Sequence, residues 1–186
     1  MTLADYLTIL RLVLVPFFLL SFIQGNTMQA FVLFAIAGGT DLVDGTIARL
    51  LKRQTKIGAF LDPIADKALM AAAFTCLFIL KVFPIWYFLL VVGRDALILL
   101  GLGLFKFKKI DVQLVPVLSS KLATLFNIIT VVFGFLSYLY PNAFFLKQPL
   151  SVWFQVSMTI AAFLVIMSSV QYSWAGWRIW RGPNTK

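Results

Sequence analysis

Six stretches of roughly twenty predominantly apolar residues follow one another along the chain, about as many as a helix needs to cross a bilayer. They run over Leu7–Gln24, Met28–Leu51, Gly58–Lys81, Pro84–Phe105, Leu114–Tyr140 and Ser151–Trp174. Between them stand turn and charge signals: Gly25-Asn26, the Lys52–Lys56 run, Phe83-Pro84, Lys106–Asp111 and Pro141–Pro149. Of the 186 residues, 61% are hydrophobic and only 12% charged. A soluble domain is nearer 45–50% apolar and about 25% charged. The pattern predicts an all-α integral membrane bundle of six transmembrane helices, one domain spanning 1–186. No A-x-A-like site follows the first segment, so no cleavable signal peptide is expected.

The net charge is +9, which suits an anionic membrane surface or a nucleic acid. The apolar content selects the membrane, and no nucleic-acid partner is expected. Ten of the sixteen Lys and Arg residues fall on one side of the six segments. They are Arg49, Lys52, Arg53 and Lys56 between segments two and three, Lys106, Lys108 and Lys109 between four and five, and Arg178, Arg181 and Lys186 after the sixth. Only Lys81 and Lys147 fall on the other side. The positive-inside rule then places both termini in the cytoplasm. Trp86, Tyr87, Tyr138, Tyr140, Trp153, Trp174, Trp177 and Trp180 lie near segment ends, where interfacial aromatics belong.

The chemistry open to this chain is narrow. It has no His and no Glu, and Cys76 is its one cysteine. Histidine-dependent triads, His-ligated metals, intramolecular disulfides and thiolate metal clusters are excluded. Four of the seven Asp residues nevertheless sit inside apolar segments two and three: Asp41, Asp44, Asp62 and Asp66. A carboxylate at the centre of a spanning helix costs about 2.5–3.5 kcal/mol on insertion scales, and such residues usually line a polar interior. The spacings i, i+3 and i, i+4 put each pair on one helix face. A short basic loop joins the two segments, so the pairs converge toward the cytoplasmic ends of an antiparallel hairpin. Four such carboxylates repel one another unless cations compensate them. An all-oxygen donor set suits Mg²⁺, Mn²⁺ or Ca²⁺. The competing reading is a set of helix-end salt bridges to Arg49 and Lys67. Gly45, Ala48 and Gly58 fall one turn or less from the carboxylates and permit close approach of a ligand or helix. Gly38 and Gly39 read as ordinary small-residue helix packing.

Taken together these residues spell Asp41-x2-Asp44-Gly45-x2-Ala48-Arg49-x8-Gly58-x3-Asp62-x3-Asp66. This resembles the complete signature of the CDP-alcohol phosphotransferase (CDP-alcohol phosphatidyltransferase) family, at every fixed position and spacing. The resemblance implies an enzyme that moves a phosphoryl-alcohol group from a CDP-linked donor to an acceptor hydroxyl and releases CMP. It implies Asp41, Asp44, Asp62 and Asp66 as ligands of a divalent cation, Mg²⁺ or Mn²⁺, two per site. It also implies Asp66 as general base, Gly45, Ala48 and Gly58 beside the cytidine and ribose, Arg49 at the diphosphate, and a homodimer. The physics agrees, because phosphoryl transfer is catalysed mainly by positioning and charge neutralisation.

Three further cations bear on the acceptor. Arg94, Lys121 and Arg11 would bind an acceptor phosphate by analogy with related family members. Against that stand a pairing of Arg94 with Asp95 and a snorkelling role for Lys121. Leu7-Thr8-Ile9-Leu10-Arg11 with Val15-Pro16 resembles the opening of the phosphatidylglycerophosphate synthase and CMP-forming cardiolipin synthase branches. Those branches usually carry Pro-Asn where Ala4-Asp5 stands here, and Arg94-Asp95 looks more like the cardiolipin branch. The leading expectation is transfer of the phosphatidyl group from CDP-diacylglycerol to sn-glycerol 3-phosphate, giving phosphatidylglycerol phosphate. The alternative acceptor is phosphatidylglycerol. The expected location is a bacterial inner membrane, with the site facing the cytoplasm. A non-enzymatic alternative makes the Asp cluster a cation-transport site. It leaves Arg49, Gly58 and the signature spacing unexplained, and transport sites tend toward the midplane.

Overall fold

The computed structural model describes the backbone of residues 3–51, 56–107 and 118–180; the side chains of 3–7, 41–51, 56–64, 99, 101–107 and 179–180 lie outside the description. Six long helices account for nearly all of the described residues: α1 (Leu3–Ile23), α2 (Thr27–Leu51), α3 (Lys56–Ile79), α4 (Ile85–Phe107), α5 (Leu118–Leu139) and α6 (Leu150–Trp180). Each coincides with one apolar segment of the sequence. α5 and the Leu150–Arg178 portion of α6 are long and apolar enough to cross a membrane, judged by length and composition among the described residues. One antiparallel hairpin interrupts the helices, with β1 (Phe144–Phe145) paired to β2 (Gln148–Pro149). Among the described residues the regular structure is all-α apart from these four.

The helix ends follow local chemistry. α1 closes in a Schellman motif: Asn26 N donates to Ser21 O (2.9 Å) and Gly25 N to Phe22 O (3.0 Å), with Gly25 left-handed at φ 81°. Asn26, a favoured N-cap residue, then starts α2, its carbonyl accepting from Ala30 N. α3 ends in the same motif, with Val82 N on Leu77 O and Lys81 N on Phe78 O. There the left-handed residue is Lys81 at φ 59°, where glycine would be easier. Pro84, which cannot continue a preceding helix, supplies the first acceptor of α4.

By contact the chain resolves into two compact units, Met1–Val82 and Phe83–Lys186. In the first, α1 packs against both α2 and α3. Its inward positions are Thr8, Arg11, Phe18 and Ser21. Phe18 meets Phe34 of α2 with ring centroids 6.3 Å apart. The buried stripe of α2 is Ala30, Phe34 and Ala37, and that of α3 is Ala65, Leu69, Ala72, Ala73 and Cys76. In the second unit α5 packs along α6, and α4 packs on α6. The facing stripes are rich in small residues: Ser119, Ala123 and Gly134 on α5, and Ser157, Ala161 and Ala162 on α6. Small residues let backbones approach where lipid supplies little hydrophobic driving force between helices. Tyr87 of α4, fully buried, donates from its hydroxyl to Asn127 Oδ1 of α5 at 2.9 Å.

Among the described residues, the tight packing expected at Gly38 and Gly39 is not found. A Cβ built at either position meets nothing within 4 Å. The two follow Ala37 by 100° and 200° around the helix, so they leave the buried stripe.

Candidate active site

The signature divides between two helices of the first unit. Asp41, Asp44, Gly45, Ala48 and Arg49 belong to α2, and Gly58, Asp62 and Asp66 to α3. Continuing the stripe Ala30, Phe34, Ala37 at 3.6 residues per turn leads to positions 41, 44 and 48. Continuing the α3 stripe backward from Ala65 leads to 62 and 58. By helical periodicity, positions 41, 44, 48, 58 and 62 therefore continue the buried stripes of α2 and α3 toward the ends that the 52–55 connection joins. Asp41 lies ten residues before the end of α2, and Asp66 ten residues after the start of α3. At 1.5 Å per residue both stand about 15 Å from their helix ends. Asp44 and Asp62 lie seven and six residues in.

The side chains of Asp41, Asp44, Gly45, Ala48, Arg49, Gly58 and Asp62 lie outside the described residues. Asp66 is described and half-buried, as is its neighbour Lys67. The positions suit a carboxylate-only donor set on two helices held side by side by α1. Such a set fits a hard divalent cation.

Arg11 belongs to the same unit and is fully buried. The antiparallel pairing of Phe18 with Phe34 fixes the register of α1 on α2. Seven residues further along each helix, the same register brings position 11 level with position 41. A guanidinium at that depth in an apolar bundle must be compensated by anions or hydrogen-bond acceptors. α2 and α3, against which α1 packs, carry the four Asp positions.

Arg94 occupies a different setting, in the second unit. Its side chain is 10% exposed and all three nitrogens are engaged. Nη1 donates to Asp95 Oδ1 at 2.6 Å, Nε to Ser168 Oγ of α6 at 3.3 Å, and Nη2 to Ser120 Oγ of α5. Beside it, Ser119 Oγ donates to Gln171 Oε1 at 2.6 Å. The pairing with Asp95 foreseen from the sequence is present. Two N–H groups of the five on a guanidinium remain for an anion, and the Ser120 hydroxyl keeps its own proton to donate. Lys121 is exposed, turned away from the buried stripe Ser119, Ala123, Asn127. The hydroxyls of Ser120 and Ser168 were not singled out as functional from the sequence. The available signal was polar residues at helical spacing within apolar segments.

Comparison with known proteins bears on what these positions do. The family model for CDP-alcohol phosphatidyltransferase matches residues 1–168. The chain belongs to this family. It is 36% identical over 181 residues to a probable cardiolipin synthase (CMP-forming) of Drosophila melanogaster, covering 87% of this chain and 55% of that protein. It is 34% identical over 177 residues to a probable phosphatidylglycerophosphate synthase of Mycobacterium tuberculosis, covering 91% of this chain and 79% of that protein. A CDP-diacylglycerol–glycerol-3-phosphate 3-phosphatidyltransferase of Haemophilus influenzae is 46% identical over 71 residues, 37% of this chain and 38% of that protein. A CDP-alcohol phosphatidyltransferase is a transferase of phospholipid biosynthesis and a membrane protein. The family generally uses divalent cations.

Proposed function

We propose that this CDP-alcohol phosphatidyltransferase transfers the phosphatidyl group of CDP-diacylglycerol to sn-glycerol 3-phosphate, forming phosphatidylglycerol phosphate and releasing CMP. The observation that carries the reading is the complete Asp41-to-Asp66 signature on two helices that both pack on α1, with Asp41 and Asp66 each ten residues from its helix end. The names of the mycobacterial and Haemophilus relatives support the glycerol 3-phosphate acceptor. The chain acts as one domain over 1–186, crosses the membrane six times, and keeps both termini and the site on the cytoplasmic side. A bacterial inner membrane and a homodimer complete the reading.

In this mechanism Asp66 takes the proton of the acceptor hydroxyl, whose oxygen attacks the β-phosphorus of the donor. The bond from that phosphorus to the bridging oxygen breaks, and CMP leaves with the electron pair. Arg49 holds the diphosphate, while Gly45, Ala48 and Gly58 leave room for cytidine and ribose. Asp41, Asp44, Asp62 and Asp66 would hold Mg²⁺ or Mn²⁺, two ions per site, whose charge offsets that developing on phosphoryl oxygens. Arg94, with its spare donors, is the proposed cation for the acceptor phosphate, while the same role for exposed Lys121 and for buried Arg11 of the first unit rests on the family resemblance alone. The hydroxyls of Ser120 and Ser168 keep the Arg94 fork in place. A donor with diacylglycerol tails stays in lipid while its head enters a polar pocket near the surface.

The fly relative favours a second acceptor, phosphatidylglycerol, in the manner of a CMP-forming cardiolipin synthase. Cation transport is not favoured by membership of a transferase family. An acceptor panel in detergent with Mg²⁺ or Mn²⁺ separates the readings by CMP release from CDP-diacylglycerol. Turnover with glycerol 3-phosphate is expected. Turnover with phosphatidylglycerol alone reassigns the acceptor, and none with any alcohol removes the enzymatic reading.

A further inference from the structure

The connection between α5 and α6 holds a turn whose sequence contradicts its backbone. Leu146 and Lys147 are both left-handed, at φ 48° and 66°, in the two-residue loop between β1 and β2. Such a turn favours Asn-Gly or Asp-Gly, because a branched side chain crowds the backbone there. Leucine in that position is an outlier that calls for an explanation. Water gives it none: Leu146 is 71% exposed, as is Phe144 at 70%.

The hairpin's base is braced by hydrogen bonds and ring contacts. Trp153 Nε1 donates to Phe145 O at 2.8 Å, and Phe133, Phe145 and Trp153 form a ring cluster with centroids 5.9–6.2 Å apart. Leu150 N closes the loop on Ala143 O at 3.1 Å. These contacts tie the base to α5 and α6 and leave the apolar tip exposed. It springs from the ends of the two helices that pass the membrane-spanning criteria. Two-residue strands lift the tip only about 7–10 Å at 3.3 Å per residue. The headgroup layer is about 5–8 Å deep on each side of the hydrocarbon. Exposed Tyr138 and Tyr140 mark the same level.

We propose that the 140–149 hairpin is a lipid-interface anchor: Phe144 and Leu146 seat among headgroups and upper acyl chains, and Lys147 contacts anionic phospholipid phosphate. Lipid rewards what water does not, which accounts for leucine in a left-handed turn. Lys147, beside the tip and exposed, supplies the complementary charge. The inference rests on α5 and α6 crossing the membrane.

The test uses the full chain with Cys76→Ser, reconstituted in phosphatidylcholine vesicles with or without phosphatidylglycerol. Nitroxide labels are placed singly at Leu146→Cys, Phe144→Cys and Phe163→Cys, the last on the exposed face midway along α6. Collision with oxygen is compared with collision with a water-soluble nickel chelate. Oxygen should dominate at 146 and 144 as well as at 163. If the chelate dominates at 146 and 144 while oxygen dominates at 163, the anchor is overturned and the spanning helix stands. If the chelate dominates at 163, the spanning reading itself fails. The 144 label serves if the 146 variant does not fold. Phosphatidylglycerol should draw the 146 label deeper, and Lys147→Gln should remove that shift. A depth indifferent to phosphatidylglycerol with Lys147 present overturns the headgroup contact.

Discussion

Arg94 Nη1 stands 2.6 Å from Asp95 Oδ1, the carboxylate of the very next residue, while Nη2 and Nε reach hydroxyls on α5 and α6. One guanidinium thus ties three helices together and still has donors left for an anion. If it serves the acceptor phosphate, Arg94→Ala should raise the KM for glycerol 3-phosphate at least tenfold, about 1.4 kcal/mol. The KM for CDP-diacylglycerol should stay nearly constant. Steady-state kinetics with each substrate varied in turn checks this, and an unchanged acceptor KM reduces Arg94 to a helix cross-link.

Tyr87 and Asn127 present a purely structural counterpart. Their hydrogen bond is buried, and Tyr87→Phe leaves the Asn127 carbonyl without that donor. Interhelical hydrogen bonds in membranes average about 0.6 kcal/mol, with a maximum near 1.7. The variant should lose stability in that range by unfolding in detergent, with the acceptor KM unaffected.

Gly39 on α2 is exposed, and a Cβ there meets nothing within 4 Å. Gly39→Ala should raise helix stability by about 0.5–1 kcal/mol, since alanine restricts the unfolded chain and fits a helix better. Thermal unfolding measures it. A loss of stability together with a loss of dimer would place that face in the subunit interface.

The helices were legible in the sequence because apolar runs of spanning length admit little else. Windows read from composition end within a few residues of α2, α4 and α5. α6 runs six residues past the expected Trp174, because Trp177 and Trp180 extend the apolar pattern around Arg178, whose guanidinium lies 3.6 Å over the Trp174 ring. The signature was legible as well, since carboxylates in apolar segments carry a cost that demands a reason. The hairpin at 144–149 escaped notice, because Leu146-Lys147 lacks the usual turn residues. The role of Ser120 and Ser168 escaped it too, since a serine in an apolar helix acquires meaning only once a partner on another helix is known. Gly38 and Gly39 misled for a similar reason: small residues announce close packing, yet only the burial stripe shows which side is packed.

The carboxylate set has a direct consequence. Chelation of divalent cations should abolish CMP release, and Mg²⁺ or Mn²⁺ should restore it, whereas Ca²⁺ tests how strictly the oxygen donors select among hard cations. Activity that persists in chelator contradicts the ligand role of Asp41, Asp44, Asp62 and Asp66.

The most direct test of the account is CMP formation from CDP-diacylglycerol and glycerol 3-phosphate by Asp66→Asn beside the unaltered protein. Removing a general base should slow transfer by about 10²–10⁴-fold, with donor binding largely retained. Transfer at the unaltered rate in that variant would contradict it.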